Sequence, residues 1–243
     1  MMDEAQKVEI LNKAKIWFKE SIAENHIKNT KALKNSSKFD INPFTTVYLA
    51  SFLTGNTSPE SIAKALLYPR VLGTSISTTF GNQVQKFTNN VLSGFASTTS
   101  GIDIEFEDQI DKRRKYCQLK AGPNTINKDD VDTINNHFRS IKGLARQNGA
   151  NIAISDLIVA IVYGEKKQIN GHYKKIEQEH NYTLLVGQDF WHRLTGDESF
   201  YNDLLTVITE IAKDSNFKED LDELILELAK DKEIINLSNK IDD

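Results

Sequence analysis

Residues 101–124, with the sequence GIDIEFEDQIDKRRKYCQLKAGPN, contain the clearest β-strand pattern in the chain. Apolar residues alternate with acidic ones from 102 to 106, which is typical of a half-buried strand. The charged segment 108–115 follows as a turn, and residues 116–121 form a second strand. A Gly-Pro pair directly afterwards ends that strand. The stretch therefore predicts a β-hairpin with one apolar and one polar face.

Outside the hairpin, hydrophobic periodicity and start and stop signals predict a series of helices and two further strands. Helices are expected at about 3–24, 43–54, 59–69, 77–93, 131–149, 189–195, 198–213 and 217–230, and strands at 157–163 and 182–186. Gly94 is predicted as a left-handed C-cap. This order predicts an α/β fold, a mixed central β-sheet flanked by helices with helical N-terminal and C-terminal additions. We expect one domain, comprising a helical region at 1–72, the core at 73–213 and an acidic helix at 214–243.

Composition excludes several classes of protein. The 243 residues are 39% hydrophobic and 26% charged with a net charge of −4, so the chain is not disordered. No apolar run reaches the roughly 18 residues of a membrane span, and the N-terminus lacks a signal peptide, so we expect a cytoplasmic protein without a membrane partner. The single cysteine, Cys117, excludes a disulfide framework. Residues 214–243 hold ten acidic residues against four lysines, so the rest is slightly basic and permits a nucleic-acid partner.

The polar face of the hairpin groups residues that suit metal chemistry. Asp103 and Glu105 share one face of the first strand, and Gln118 and Lys120 share one face of the second. Pairing of the two strands would bring carboxylates, an amide oxygen and an ammonium together. Oxygen ligands of this kind suit Mg²⁺, and a neighbouring lysine can activate water or stabilise charge on phosphate. The constellation favours phosphodiester hydrolysis.

At these residues the sequence resembles a known family. Gly101-Ile102-Asp103, a spacer of 14 residues and Gln118-Leu119-Lys120 resemble the PD-(D/E)XK nuclease motif, and the whole chain resembles a type II restriction endonuclease. Segments 120–127, 162–164 and 187–197 are similar to the flanks of that motif. The resemblance implies that Asp103 and the residue at 118 bind the metal and that Lys120 assists the attacking water.

The sequence departs from the motif at two positions. Gln118 stands where the family usually has Asp or Glu, so either its amide oxygen binds the metal or Glu105 compensates. Ile102 stands where a proline is usual. The helix predicted at 77–93 offers only amides, of which Gln83 is a possible residue lining the site and Gln85 is its neighbour. Asp103 and Glu105 could otherwise be the solvated face of an edge strand.

Polar and basic residues around the motif are candidates for DNA contact, although some of them could have a purely structural role instead. Lys112, Arg113 and Arg114 could contact phosphates or form a solvated hairpin tip. A second basic loop, around Asn170-Gly171, could also contact DNA. Backbone amides at the start of the helix that follows Lys120 could bind phosphate, or the residues there could serve only as a turn and a helix cap. The residues concerned are Lys166, Lys167 and His172 in the loop, and Asn124, Thr125 and Asn127 at the helix start.

The resemblance implies a Mg²⁺-dependent type II restriction endonuclease that cuts both strands of a specific, palindromic DNA duplex, with Mn²⁺ able to substitute for Mg²⁺. We expect a homodimer, and a cognate DNA methyltransferase as a functional rather than physical partner. The N-terminal helices, with Trp17 and Phe18, and segment 43–67 are candidates for dimerisation or DNA grip. Two alternatives stay open: a repair or structure-selective nuclease on the same fold, and a DNA-binding protein whose catalytic site has decayed.

Overall fold

The computed structural model describes residues 2–213 and 217–242, except the side chains of residues 74, 75, 82, 84, 85, 88, 241 and 242. The helices are α1 Glu4–Trp17, α2 Glu24–Lys31, α3 Pro43–Thr54, α4 Pro59–Pro69, α5 Ile76–Val91, α6 Lys128–Gln147, α7 Gly171–His180, α8 Gln188–Thr195, α9 Phe200–Lys213, α10 Phe217–Leu228 and α11 Lys232–Asp242. The strands are β1 Ile104–Glu107, β2 Arg114–Lys120, β3 Leu157–Ile161 and β4 Thr183–Val186. Helices and a mixed sheet form an α/β fold, as the sequence predicts.

The four strands form one sheet in the order β1-β2-β3-β4. The β1-β2 hairpin is antiparallel, with Ile104 opposite Cys117, whereas β2, β3 and β4 run parallel. All five residues of β3 are buried, because helices cover a central parallel strand on both faces. The parallel strands are joined by crossover connections through α6 and α7. As a result the carboxyl ends of β2, β3 and β4 meet at one edge of the sheet.

The core at the sheet forms from the apolar stripes of α6 and α7 packed against alternate residues of the strands. Val131, Ile134, Phe138 and Ile141 lie four or three residues apart on α6 and are all buried. The predicted apolar face of the hairpin is also buried, including Cys117, which confirms its assignment as a small core residue. α6 is thereby fixed against β2 and β3, which determines where its polar side chains lie.

The contacts divide the chain into two compact units. Unit 1 comprises residues 1–17 and 83–208 and contains the sheet, and unit 2 comprises 18–82 and 209–243. Unit 2 is helical, with a core that α4 and α10 supply together with residues of α11. These limits differ from the three regions expected from sequence. No helix in the described part of the chain is long and apolar enough to cross a bilayer.

Several predicted boundaries are wrong for identifiable reasons. The helix expected to end at Pro69 continues through a π-helical turn at Arg70–Ser75 into α5, since proline removes one hydrogen bond without ending the helix. Gly94 is not a left-handed cap but lies in a 3₁₀ turn with negative φ. The first helix continues through a second π-helical turn, Phe18–Ala23, into α2, and α11 was not predicted as a separate helix. Trp17 is buried against Phe87, so its side chain does not form a surface for DNA or a partner.

Within unit 1, helix α1 is held to the segment between α8 and α9 by an ion pair whose pH dependence can be measured. Lys7 Nζ lies 2.8 Å from Asp197 Oδ2, and this hydrogen bond with those from Ser199 lowers the pKa of Asp197 to about 2. A lowered pKa stabilises the fold above the unfolded-state value of 3.8 and loses that contribution as pH falls towards 2.

We therefore expect Asp197→Asn to lower the free energy of unfolding at pH 7 by about 1 kcal/mol. The difference in free energy of unfolding between the variant and the unmodified chain should stay constant between pH 7 and 5 and become smaller below about pH 4. Urea unfolding at pH 7, 5 and 3 measures it. A difference that is unchanged at pH 3 would contradict this account of the ion pair.

Candidate functional site

The three motif residues converge at the end of the β1-β2 hairpin. Asp103 directly precedes β1, and its amide donates to the carbonyl of Cys117 at 3.0 Å, which continues the ladder and places it opposite Gln118. Lys120 is the last residue of β2. The site therefore lies where β2 ends beside β3, at the edge of the sheet where α/β proteins commonly bind ligands.

The carboxylate of Asp103 is held inside the site. Its Oδ2 accepts a hydrogen bond from the backbone N–H of Leu119 at 2.7 Å. Burial raises the pKa of Asp103, and the Leu119 N–H together with the charge of Lys120 offsets only part of that rise. A half-buried carboxylate without a full counter-charge is a place where a bound cation would be favoured.

Gln118 is 5% exposed, and its side chain is oriented by two neighbouring groups. Its Nε2 donates to the carbonyl oxygen of Gly101 at 2.6 Å and lies 2.7 Å from Nδ1 of His137. Both contacts use the amide nitrogen, so the amide oxygen is left for another partner. His137 is contributed by the middle of α6.

Lys120 reaches a carboxylate on α6. Its Nζ lies 3.4 Å from Oδ1 of Asp130, and the lysine side chain is 25% exposed. Asp130 is itself fixed, because its Oδ2 accepts from the backbone N–H of Asn127 in a reciprocal capping box at the start of α6. The ammonium is thereby positioned at the rim of the site with access to solvent.

Glu105 has a different set of partners. Its Oε1 accepts hydrogen bonds from the hydroxyls of Ser97 and Thr99, and its Oε2 pairs with the guanidinium of Arg114. These hydrogen bonds outweigh the effect of burial and lower the pKa of Glu105. The carboxylate is fully engaged on the hairpin, away from the contacts that Asp103 makes.

The basic hairpin residues are mostly paired. Arg113 binds Asp156, Arg114 binds Glu105, and the exposed Lys112 donates to Gln109 Oε1 at 3.1 Å. The two arginine side chains remain about half exposed or more, so DNA contact by all three residues stays a prediction.

The other candidate DNA contacts surround the loop after Lys120. The Thr125 hydroxyl donates to the carbonyl of Gly122 at 2.9 Å, Asn127 caps α6, and Asn124 is exposed. The second basic loop is held to this one by a hydrogen bond from the Asn170 amide to Pro123 O at 3.0 Å. In that loop Lys166 pairs with Glu177 and Lys167 with Glu165, while the buried Nδ1 of His172 has no hydrogen-bond partner among the described residues.

Sequence reasoning missed Asp130 and His137. Both lie on α6 seven residues apart, so they occupy one side of the helix two turns from each other, beside its apolar stripe. The seven-residue spacing of two polar residues on a predicted helix was the one sequence signal that they lie on the same side. Of the two glutamines on α5, Gln83 has a buried amide oxygen without a partner among the described residues, and the side chain of Gln85 lies outside them.

The side chains present fit a hard divalent cation. Within the described residues no three His, Cys, Asp or Glu side chains form a metal-binding group. A site here would therefore use one carboxylate, from Asp103, and one amide oxygen, from Gln118, with water completing the shell. Mg²⁺ is commonly held by one or two carboxylates and several waters, so the donor set suits it.

A mixed four-stranded sheet flanked by helices is consistent with the restriction-endonuclease-like fold. The sequence profile of the family described as type II restriction endonuclease EcoO109I matches residues 16–216. Because that match covers most of the chain, the protein belongs to this family and is a nuclease that hydrolyses DNA. No curated protein matches the chain.

Proposed function

We propose that the protein is a Mg²⁺-dependent endonuclease that hydrolyses both strands of a specific, palindromic DNA site. The observation that carries this proposal is that Asp103, Gln118 and Lys120 lie at one edge of the sheet, each oriented by a contact that leaves an oxygen or the ammonium available to a ligand. Membership of the family supports the reaction class. Mn²⁺ is expected to substitute, because its preferred ligands are the same oxygen donors.

Each residue has a role that follows from its contacts. Asp103 and the amide oxygen of Gln118 would hold the cation, which supplies charge stabilisation at the phosphate and lowers the pKa of a bound water. Lys120 would orient the attacking water or take its proton, and would stabilise the negative charge that develops on phosphate. Asp130 holds Lys120 in place before DNA arrives. Its neighbour Asn127 keeps the start of α6 fixed.

The contacts favour Gln118 over Glu105 as the second ligand. Glu105 would have to give up hydrogen bonds from two hydroxyls and an ion pair with Arg114 to reach a cation. Gln118 need give up nothing, since both of its contacts use the amide nitrogen. The candidate DNA contacts, at 112–114, 124–127 and 166–172, would grip phosphates or base edges around this centre.

Cleavage of long unmethylated DNA with Mg²⁺, followed by sequencing of the fragment ends, tests the proposal. We expect discrete ends that share a short symmetric sequence and disappear with EDTA. Methylation of that sequence should block cleavage, as expected for an enzyme with a cognate methyltransferase. Scattered or structure-dependent ends would favour a repair nuclease instead. Tight DNA binding without cleavage would favour a DNA-binding protein with a decayed site.

A homodimer would cut both strands of a palindrome, and α3 offers a surface for it. Most of its outward residues are large and apolar, with Phe44 88% and Phe52 77% exposed and Tyr48 stacked beside Phe52. The helix contains no charged residue, so it offers nothing to the charges of DNA or of an acidic or basic partner. A second copy presents the same uncharged apolar face, and we propose that two α3 helices meet across a two-fold axis.

The double change Phe44→Ser/Phe52→Ser should therefore weaken the dimer by about a hundredfold or more, since burial of a Phe side chain contributes about 1.5–3 kcal/mol. Light scattering across a concentration series measures the effect. Ile110→Ser/Leu144→Ser, which alters two half-exposed apolar residues outside α3, is the matched control and should stay dimeric. A monomeric unmodified chain, or a double variant that dimerises normally, would contradict the assignment of α3.

A further inference from the structure

The orientation of the Gln118 amide is fixed by the chemistry of its two partners. A backbone carbonyl only accepts hydrogen bonds, so the group 2.6 Å from the oxygen of Gly101 must be the NH₂ of Gln118. The same nitrogen lies 2.7 Å from Nδ1 of His137. Since the NH₂ donates, Nδ1 must accept, and the ring proton of neutral His137 lies on Nε2. The amide oxygen is consequently the atom that faces away from both.

The imidazole ring is fixed as firmly as the amide. His137 projects from the middle of the 20-residue helix α6, which is packed on the sheet. Gly101 has φ +80°, and a Cβ added there would lie 2.5 Å from Cγ of the His137 ring. The ring therefore lies directly against the α-carbon of Gly101, where only glycine leaves room for it. Gly101, Gln118 and His137 form one cluster, which we call the amide cradle.

The amide cradle suits a glutamine and opposes a glutamate. If a carboxylate replaced the amide in the same position, one of its oxygens would take the place of Nε2 and face the Gly101 carbonyl oxygen at about the observed 2.6 Å. Two acceptors that close repel each other, so the Gly101 carbonyl opposes a carboxylate, whereas His137 could change tautomer and donate from Nδ1. A site that had merely lost its second acid by mutation has no reason to hold a backbone carbonyl oxygen against the amide nitrogen.

We propose that His137 is a positioning residue that, with the Gly101 carbonyl, turns the Gln118 amide oxygen towards the cation site beside Asp103. Gln118 is then a working neutral ligand and not the remnant of a carboxylate. This inference rests on the proposed function, because it concerns the metal site of that reaction. A partner that orients a metal ligand commonly changes metal affinity by about 10–100-fold when it is lost.

Two substitutions of His137 separate positioning from packing. Asn places its side-chain oxygen close to where Nδ1 lies and so keeps an acceptor, whereas Leu fills similar volume without one. The affinity of the full chain for Mn²⁺ is measured without DNA by titration, with the EPR signal of free Mn²⁺ as the readout. This affinity reports on the cation site independently of cleavage. Thermal unfolding of each variant records any change in packing.

We expect His137→Leu to weaken Mn²⁺ binding by about tenfold or more and His137→Asn to restore it to within about threefold of the unmodified chain. Equal Mn²⁺ affinity in the unmodified chain and both variants would overturn the role of His137 while leaving the proposed nuclease intact. A parallel loss in both variants would also overturn it, since rescue by the acceptor is its signature. An unmodified chain that neither binds Mn²⁺ nor cleaves DNA would overturn the proposed function and this inference together.

Gln118→Glu is an independent test that does not depend on how His137 variants fold. The amide cradle predicts that this variant binds Mn²⁺ no more tightly than the unmodified chain, despite its additional negative charge. A carboxylate that raised Mn²⁺ affinity by about tenfold or more, as expected for a regained acidic ligand, would overturn the claim that the amide cradle selects an amide over a carboxylate.

Discussion

Lys120→Ala should lower the rate of DNA cleavage by about 10²–10⁴-fold at saturating Mg²⁺, because groups that transfer a proton or stabilise charge at the reacting phosphate contribute on that scale. Its Nζ is the cationic group held at the rim of the site by Asp130. DNA binding should change little, since one phosphate contact among many is lost. Single-turnover cleavage rates and a gel-shift titration with the same duplex measure the two effects separately.

Two further variants define what Lys120 contributes. Lys120→Arg keeps the positive charge but cannot accept a proton, so a variant that retains much of the rate would assign an electrostatic role, and an inactive one would favour proton transfer. Lys232→Ala alters an exposed lysine outside the matched residues 16–216 and should cleave normally. If Lys120→Ala cleaved as fast as this control, the catalytic role of Lys120 would be wrong.

Asp156→Asn should lower the free energy of unfolding by about 2–4 kcal/mol, the largest effect on stability that we expect. Lys115 is 1% exposed, and its Nζ lies 3.0 Å from Asp156 and 2.6 Å from Asp111. Asp156 also binds Arg113 and accepts from the amide of Ala153 at 3.2 Å. Neutralising this carboxylate leaves a buried ammonium with one partner, a situation far costlier than the loss of an exposed pair.

Urea unfolding at pH 7 measures this effect. Glu177→Gln is the matched control, because it breaks the exposed pair between Lys166 and Glu177 at 2.6 Å and should cost less than about 1 kcal/mol. In a Lys115→Met background Asp156→Asn should cost much less than in the unmodified chain, because the buried ammonium is gone. Equal costs in the two backgrounds would show that Lys115 and Asp156 are not energetically coupled.

The strands of the hairpin and the crossover helix were predictable because their periodicity is local. Apolar residues at 102–106 alternate with acids, and the stripe of α6 repeats every three or four residues, so burial and element type follow from the sequence itself. The Asn-Pro signal at the start of α3 and the glycine at its end were equally local, and the structure places both as caps. Asp103, Gln118 and Lys120 converge because the hairpin register follows from the same alternation.

What could not be predicted depends on contacts between residues distant in sequence. The four residues at 112–115 are all basic, but Lys115 alone is buried, because it pairs with Asp156, which lies 41 residues later in the chain, directly before β3. Proline at position 69 carries a stop signal that neighbouring packing overrides. His137 belongs to the site only because α6 packs beside Gly101 and Gln118, and no short motif encodes that approach.

The rate of DNA cleavage by Asp103→Asn shows whether Asp103 holds a catalytic cation. Asparagine keeps the size of the side chain and an oxygen that can accept from the Leu119 amide, and it removes the only carboxylate charge that we assign to the cation site. We expect the unmodified chain to cut a duplex that carries its site in the presence of Mg²⁺, and Asp103→Asn to bind that duplex but cut it at least about 10²-fold more slowly. Cleavage by Asp103→Asn at the unmodified rate would contradict the account.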